Sequence, residues 1–324
     1  MWNKKFSAIS HAIHEVPALL QSCCLCGHRC GTNRLEGKEG FCRVGPSATQ
    51  ESGVPSVRCS SHTLHFGEEP MLVGRGGSGT VFFGRCNLRC VFCQNYQISQ
   101  EGLGQDLLPS ELARIFLDLQ SQGAENINLV TPTHYIYPIL LALEEAGQAG
   151  LTLPIVYNTN GYESVEFLKA LDGVIDVYLP DLKYMDASAA IKYSSAPNYP
   201  ETAKAAILEM YRQVGPLQDA NGVATRGLII RHLVLPQNLS GSYEFLLWLK
   251  DEGLEEVTLS LMSQYSPQYR AREFPELSQP LSPKDYADVV DFAVKLGFEH
   301  LLTQKLESRD VYLPDFREEK PFEQ

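Results

Sequence analysis

Three cysteines fall within the stretch RCNLRCVFCQN, residues 85–95, where Cys86, Cys90 and Cys93 have the spacing C-x3-C-x2-C. A structural zinc site usually takes four ligands, often from two C-x2-C pairs, and this stretch holds one such pair and no histidine. Three thiolates on a [4Fe–4S] cluster would leave one iron open to a further ligand. The spacing therefore favours an iron–sulfur cluster over zinc and over three packed core cysteines.

A second group of cysteines comes earlier in the chain. Cys23, Cys26, Cys30 and Cys42 have the spacing C-x2-C-x3-C-x11-C. Four soft ligands can close a zinc site or hold a second iron–sulfur centre, and both options stay open. All nine cysteines lie at or before Cys93, and an odd number at short spacing favours metal binding over a disulfide framework.

Composition limits the classes of function. The 324-residue chain has a formal net charge of −12, which argues against a sequence-independent grip on nucleic acid. No apolar run reaches the ~18 residues that a membrane span needs, and the first residues lack the features of a signal peptide. We expect a soluble protein of the cytoplasm without nucleic-acid or membrane partners.

Short apolar segments alternate with amphipathic ones from about residue 80 onward. The pattern predicts six strands, at 80–86, 126–130, 154–159, 175–182, 227–236 and 257–262. It predicts helices at 6–20, 110–123, 137–147, 164–173, 201–215, 242–253 and 283–297. Strands of this kind, joined by crossovers long enough for a helix, indicate a parallel sheet that is either open or curved into a barrel.

Residues that end such strands are the candidates for a site, because ligands bind at the carboxyl ends of parallel strands. Cys86 closes the first predicted strand. A long connection over residues 261–280 follows the sixth strand, and we expect it to cover the open side of a barrel with Gln264 and Tyr265 nearest a cofactor.

The cysteine spacing, with Phe92 just before the last cysteine, resembles the signature of the radical S-adenosylmethionine (SAM) enzymes. The segments HFGEEP, NLVTPTH, YNTNGYE, YLPDLKY, RHLVLP and MSQYSP resemble, in order, blocks of the pyruvate formate-lyase-activating-enzyme-like family. This resemblance implies a [4Fe–4S] cluster whose open iron binds SAM and reductively cleaves it to a 5′-deoxyadenosyl radical that abstracts hydrogen. It also implies an electron donor such as flavodoxin or ferredoxin, and a glycyl-radical enzyme or other protein as substrate.

The resemblance also assigns cofactor-binding residues. Thr159 and Asn160 belong to a T-N-G turn, and Asp181 and Lys183 to a D-L-K segment, that line the SAM pocket in the activases. Asn158 stands where the activases have Asp. We expect Lys183 to meet the cofactor carboxylate, and Asp181 to meet its ammonium group or a nearby cation.

Two further segments carry charge. One of Arg231 and His232, which are neighbours in the fifth predicted strand, could face the lumen of a barrel, and a satisfied core histidine is the alternative for His232. The HFGEEP segment, residues 65–70, is expected to cover the barrel rather than act in chemistry.

Together these features predict a partial (β/α)6 TIM-type barrel over residues 65–324, ending in a C-terminal tail, with a cysteine-rich metal-binding appendage over residues 1–64. The expected function is a radical SAM oxidoreductase of the activating-enzyme-like kind. One alternative is a radical SAM enzyme that modifies a small molecule or a protein residue. A more distant one is a non-catalytic iron–sulfur or zinc protein.

Overall fold

The computed structural model describes residues 2–44, 55–306, 313–318 and 320–322. Its strands are β1 Val57–His65, β2 Ser78–Phe83, β3 Gln105–Leu107, β4 Ile127–Val130, β5 Ile155–Thr159, β6 Val177–Pro180, β7 Gln218–Ala220, β8 Val223–Leu233, β9 Thr258–Met262 and β10 Leu301–Thr303. Its α-helices are α1 Trp2–Gln21, α2 Pro70–Val73, α3 Pro109–Ser121, α4 Ile136–Gln148, α5 Val165–Ala170, α6 Ala187–Ser194, α7 Tyr199–Val214, α8 Ser242–Asp251 and α9 Pro283–Leu296.

The central sheet is mostly parallel. Within the described ranges, parallel strands follow the order β2-β4-β5-β6-β8-β9-β10, and antiparallel β1 extends the edge beside β2. The six predicted strands correspond to β2, β4, β5, β6, β8 and β9, so the predicted α/β class and partial TIM-type barrel are confirmed. Helices that follow the strands pack on the outer face of the sheet, which places the carboxyl ends of the strands at one rim.

Local sequence sets the ends of these helices. The Asp186 side chain accepts hydrogen bonds from the first turn of α6, and the Ser282 hydroxyl does the same for α9. Gly297 follows α9 at a φ of 95°, a left-handed conformation that glycine adopts without strain. None of the helices in the described ranges has the length and apolar composition that a membrane crossing requires.

The sequence pattern missed β1 and the three-residue strands. β1 alternates polar and apolar residues, VRCSSHTLH, and pairs antiparallel with β2 from Cys59 to His65, so it lacks the continuous apolar run of a central strand. The boundary predicted between residues 64 and 65 falls inside this strand. The division into an appendage and a barrel stays a prediction.

The barrel lumen is closed at the end where the strands begin. Side chains alternate along each strand, so every second residue faces the lumen. In the lower lumen, Leu72 of α2 is fully buried against Val156, Val177, Leu179 and Ile229. The short helix α2 therefore acts as an apolar plug beneath the site.

Candidate cofactor and metal site

Residues 85–95, which we call the cluster loop, lie at the carboxyl end of β2. Arg85 has a φ of 67°, so the chain turns sharply just after the strand. Its N–H donates to the Ile98 carbonyl at 2.8 Å, which ties the start of the loop to the π-helical turn Gln97–Glu101. The predicted placement of Cys86 at this rim agrees with the structure, although β2 itself ends at Phe83.

The three thiols of the cluster loop sit among hydrogen-bond donors. The Leu88 N–H lies 3.3 Å from the Cys86 sulfur, the Ser194 hydroxyl 3.0 Å from that of Cys90, and the Ser99 hydroxyl 3.2 Å from that of Cys93. Burial raises the pKa of the Cys86 thiol to about 12 and that of Cys93 to about 11. Metal binding requires the thiolate form, which these donors would support once the metal is bound.

The donor set fits an iron–sulfur cluster. Cys90 and Cys93 line a cavity, and Cys86 interacts electrostatically with both. Within the described residues, no group of three or more His, Cys, Asp or Glu side chains is gathered as a single metal ion would need. A [4Fe–4S] cube is held by thiolates on different irons and not around one atom. The residues that would hold it are Cys86, Cys90 and Cys93.

The cavity has a volume of about 610 Å³ and lies inside the barrel. One level above the plug, the lumen-facing residues become polar, and Asn158, Arg231 and Ser260 all line the cavity. We call these three residues the polar layer. Arg231 and Ser260 are register partners on β8 and β9, so their side chains leave the sheet side by side.

Arg231 is the centre of a charged network. Its Nε donates to Asp181 Oδ1 at 2.8 Å, and its Nη2 donates to the side-chain amide oxygen of Asn158 at 2.6 Å. Its Nη1 lies 3.8 Å from Glu68 Oε2. The ammonium group of Lys183 lies 2.5 Å from the other oxygen of Asp181. Lys183 also interacts electrostatically with the Cys90 thiol, so it faces both the network and the cluster loop.

Burial and charge act in opposite directions on these groups. Burial alone would raise the pKa of Asp181, but Arg231 and Lys183 hold it below the ordinary value. Burial alone would lower the pKa of Lys183, but Asp181 holds it above the ordinary value. Both groups are therefore charged at neutral pH, and they keep each other so.

The T-N-G turn after β5 does not point into the cavity. The Thr159 hydroxyl donates to the buried Glu163 carboxylate, and the Asn160 amide lies 2.6 Å from the Asn87 side chain and 3.5 Å from the Cys86 sulfur. Gly161 has a φ of 75°, and a Cβ there would lie 2.3 Å from the Asp181 carbonyl oxygen. Only glycine permits this close approach, which fixes the turn behind the cluster loop.

The predicted cover of the barrel, residues 261–280, corresponds to the connection 263–282 between β9 and α9, which we call the lid loop. It contains only short 3-10 turns between β9 and α9, and both Gln264 and Tyr265 line the cavity. The Tyr265 ring is 1% exposed, packs edge-on against Phe92 with centroids 5.7 Å apart, and donates its hydroxyl to the Leu277 carbonyl. The lid loop is thus anchored to the cluster loop.

The four N-terminal cysteines lie outside the sheet but beside the cluster loop. Cys23 interacts electrostatically with Cys30 and Cys42, and Cys26 does so with Cys23 and Cys42. A Cβ on Gly40 would lie 3.1 Å from the Cys30 sulfur and 3.6 Å from the Cys42 sulfur, so the glycine leaves room for both. At their described positions the four thiols are not gathered as a single metal ion would need, so a metal centre in this segment stays a prediction.

The N-terminal segment, residues 23–42, docks on the rim of the barrel. Gly27 donates from its N–H to the Tyr162 carbonyl at 3.0 Å, and a ring nitrogen of His28 lies 2.8 Å from the Asn87 carbonyl. Arg89 of the cluster loop donates to the Phe41 carbonyl. The segment is therefore packed against the site and is not a detached appendage.

The structure divides the predicted residues into two groups. Asn158, Asp181, Lys183, Gln264 and Tyr265 come together around the cavity, whereas Thr159 and Asn160 support the cluster loop from behind.

His232 is a core residue whose two ring nitrogens both have hydrogen-bond partners, in agreement with the alternative interpretation given for it above. It is 0% exposed, its ring nitrogens lie 2.7 Å from the Leu182 carbonyl and 2.9 Å from the Ser242 hydroxyl, and its ring stacks on Phe245. Its neighbour Arg231 is the one that faces the lumen.

Sequence reasoning missed three residues of the cavity. Glu68 and Glu69 belong to the HFGEEP segment, for which covering the barrel was favoured over a role in chemistry, and both residues line the cavity. Ser260 sits at the centre of β9, where the alternation of Thr258, Ser260 and Met262 with leucines was the available signal.

Comparisons with known proteins agree with this geometry. The family model of the radical SAM superfamily matches residues 80–216, which run from β2 to just past α7. An uncharacterized protein of Methanocaldococcus jannaschii is 32% identical over 290 residues, which make up 87% of this chain and 77% of the relative.

Two solved structures are also similar to this chain. HydG, a maturase of the [FeFe]-hydrogenase, aligns with a TM-score of 0.47 and 14% identity over 70% of this chain and 52% of its own. TYW1 with a lysine-pyruvate adduct bound aligns with a TM-score of 0.41 and 13% identity over 71% of this chain and 78% of its own.

Proposed function

The chain belongs to the radical SAM superfamily, and from that premise we propose that it generates a SAM-derived radical in the cavity to abstract hydrogen from a bound substrate. Membership of the superfamily implies radical chemistry, a [4Fe–4S] cluster, SAM and an electron donor. When bound, the cluster supplies the electron for reductive cleavage of SAM. The observation that carries the proposal is the position of Cys90 and Cys93 on the wall of a cavity that also contains Lys183.

The residues of the chain have separate tasks in this proposal. Cys86, Cys90 and Cys93 hold the cluster, and their hydrogen-bond donors stabilise the thiolate form. Lys183 binds the SAM carboxylate, since its ammonium group lies between the network and the cluster loop. Asp181 holds Lys183 in place and stands ready to accept the SAM ammonium group.

The lid loop has a different task. Gln264 and Tyr265 line the cavity near the cluster loop, because the Gln94 side chain donates to the Gln264 carbonyl at 2.9 Å and Tyr265 packs on Phe92. We assign them to cofactor contact and to the exclusion of water. Radical intermediates react with solvent and oxygen, so such a cover is needed for productive chemistry.

Two kinds of substrate fit the proposal. An activase of the pyruvate formate-lyase-activating kind would place a radical on a glycine of a partner protein, as the sequence resemblance suggests. A radical enzyme that modifies a small molecule or a protein side chain is favoured by the polar layer, because a glycine residue has no side chain to reach Arg231 or Ser260 inside the barrel. Flavodoxin or ferredoxin is the proposed electron donor, and the cytoplasm the proposed location.

The N-terminal segment is proposed as a closed metal centre of structural purpose. Cys30 and Cys42 lie beside Gly40, electrostatic interactions link them to Cys23 and Cys26, and the segment does not contribute to the lining of the cavity. Zinc and a second iron–sulfur centre use the same four ligands. Metal analysis of the protein, purified without oxygen, identifies which one is bound.

The test of the function is anaerobic reconstitution with iron and sulfide, followed by reduction and addition of SAM. We expect an electron paramagnetic resonance signal from the reduced cluster and the formation of 5′-deoxyadenosine. A low-mass filtrate of a cell extract that stimulates this formation supports a small-molecule substrate, and stimulation by the retained protein fraction supports a protein substrate. A reduced cluster that forms no deoxyadenosine in any of these mixtures contradicts the proposal.

A further inference from the structure

The deepest part of the cavity lies opposite the cluster loop. The three cluster cysteines follow the last residue of β2, whereas Glu68 and Glu69 precede its first residue and the plug helix α2 starts directly after them. Both glutamates line the same cavity as Cys90 and Cys93. The cavity is therefore bounded by thiols at one end and by carboxylates at the other.

The cations around the cavity are shared unequally among its carboxylates. Three carboxylates, Glu68, Glu69 and Asp181, line the cavity with three formal cations, Lys183, Arg231 and the exposed Lys305, of which only Lys183 and Arg231 pair with a carboxylate within the described residues. Asp181 takes both of these cations at hydrogen-bond distance, and Glu68 lies 3.8 Å from Arg231. Glu69 interacts with Arg231 only through space, and no ion pair within 4.0 Å is found for it in the described part of the chain.

A second observation lies next to Glu69. The Ser260 side chain is 1% exposed and lines the cavity, and its hydroxyl has no hydrogen-bond partner within the described residues. A buried hydroxyl without a partner costs about 1 to 3 kcal/mol, so proteins rarely keep one unless something binds there. The Ser260 hydroxyl lies close enough to the Glu69 carboxylate to favour its ionised form and oppose the rise of its pKa on burial, but the contact falls short of full hydrogen-bond geometry and leaves the acceptor side of the hydroxyl unused.

These features match the chemistry of one kind of group. A primary ammonium group carries one positive charge and three N–H donors. It would supply Glu69 with an ion-pair partner and the Ser260 oxygen with a donor, while the apolar stem of the molecule points toward the cluster loop. A neutral or anionic group would leave the carboxylate without a counter-charge in a sheltered site, which is costly.

We propose that the Glu69 and Ser260 end of the cavity binds the ammonium group of an amine substrate. The inference rests on the proposed function, since it names the substrate class of the same cavity. The amine is either a free small molecule or the side chain of a lysine presented by another protein. In both cases the ammonium group enters first and the carbon stem lies nearer the cluster.

The experiment uses the anaerobically reconstituted protein, before SAM is added, and simple probes of matched size. We titrate n-butylammonium, n-butanol and n-butyrate, together with N-acetyl-lysinamide as a model of a protein lysine, by ligand-observed NMR. We expect the cationic probes to bind at least about tenfold more tightly than the neutral and anionic ones, a difference of about 1.4 kcal/mol. Tighter binding of the lysine derivative than of butylammonium points to a protein source.

Two variants locate the effect. Glu69→Gln keeps the size of the side chain and removes its charge, so we expect it to abolish the preference for cations. Glu145→Gln, on the exposed face of α4, makes the same change in net charge and should leave the preference unchanged. Ser260→Ala, which removes only the acceptor, should reduce the preference by a smaller factor and serves as a second test if Glu69→Gln does not fold.

The outcomes separate this inference from the proposed function. Equal binding of the three butyl probes by the parent protein overturns the inference, as does a folded Glu69→Gln protein that keeps the preference. Deoxyadenosine formation is measured in the same preparations. If SAM is cleaved but cations are not preferred, only the amine site is wrong; if cations are preferred but SAM is not cleaved, only the proposed function is wrong.

Discussion

The two groups of cysteines in this chain differ in what surrounds them. The thiols of the cluster loop face a cavity, and Cys90 and Cys93 form part of its wall. The thiols of the N-terminal segment lie outside the cavity, where Cys30 and Cys42 are both beside Gly40 and interact electrostatically with Cys23. Three ligands beside open space suit a metal centre that binds another molecule, and four ligands that face inward suit a closed centre. The number of cysteines and the space beside them thus indicate two different tasks.

The largest expected effect comes from removing a ligand at the open site. Cys93→Ala leaves two thiolates in the cluster loop, too few to hold the cluster, so reconstituted iron at this site and deoxyadenosine formation should both fall to background. Iron content, the resonance signal of the reduced cluster and liquid chromatography of deoxyadenosine measure this. The same loss is expected for Cys86→Ala and Cys90→Ala, and unchanged iron and activity in any of the three would show that the cluster is elsewhere.

A substitution at the closed site should have a different effect. Cys42→Ala removes one of four ligands, so the N-terminal metal is lost and the melting temperature falls, while the signal of the cavity cluster remains. Metal analysis and thermal melting check this, with Cys24→Ala as the control because Cys24 lies in the same segment but outside the set of four. If Cys42→Ala also abolishes the cavity cluster, the contrast between the two groups does not hold.

Replacement of Lys183 tests whether SAM binds beside the thiols of the cluster loop. Lys183→Ala removes the cation proposed to meet the SAM carboxylate, and Asp181 keeps its contact with Arg231, so the fold and the cluster should survive. We expect the dissociation constant for SAM to rise about tenfold, which corresponds to about 1.4 kcal/mol. Calorimetry measures it, with Lys284→Ala on the exposed side of α9 as the control. Equal constants for variant and parent would remove Lys183 from the binding site.

The smallest effect concerns the cover of the open site. Tyr265→Phe keeps the packing on Phe92 but leaves the buried Leu277 carbonyl without its hydroxyl donor. One such hydrogen bond contributes about 1 kcal/mol to stability, so the free energy of unfolding should fall by about that amount. Denaturant unfolding measures the loss, and SAM binding should weaken less than in Lys183→Ala. A larger loss of SAM binding than of stability would show that the hydroxyl touches the cofactor.

Much of the fold could be predicted because its signal is local. The apolar runs that became β2, β4 and β5 are buried on both faces, and such runs have few other structures open to them. β1 could not be found in this way, because an edge strand with a polar face resembles a loop in composition. The pairing of β1 with β2 joins two separate segments of the chain, and no pattern within either segment alone reveals it.

The site was predictable in part for the same reason. Cys86, Cys90 and Cys93 are recognised by spacing alone, which the sequence contains. The role of Glu69 depends on Arg231 and Ser260, which are separated from it by half of the chain or more and meet it only when the barrel forms. The direction of the Asn160 side chain could not be predicted either. Asn158, near the end of β5, lines the cavity, whereas the turn that follows β5 places Asn160 behind the cluster loop.

The plug helix α2 sets the order in which molecules can come and go. Because Leu72 fills the lumen where the strands begin, entry to the cavity is from the rim that carries the cluster loop. A substrate whose ammonium group sits at Glu69 lies deeper than SAM and must arrive before it. The product likewise leaves only after the methionine and deoxyadenosine fragments have gone, so steady-state kinetics should follow a compulsory sequence in which the substrate is first in and its product last out.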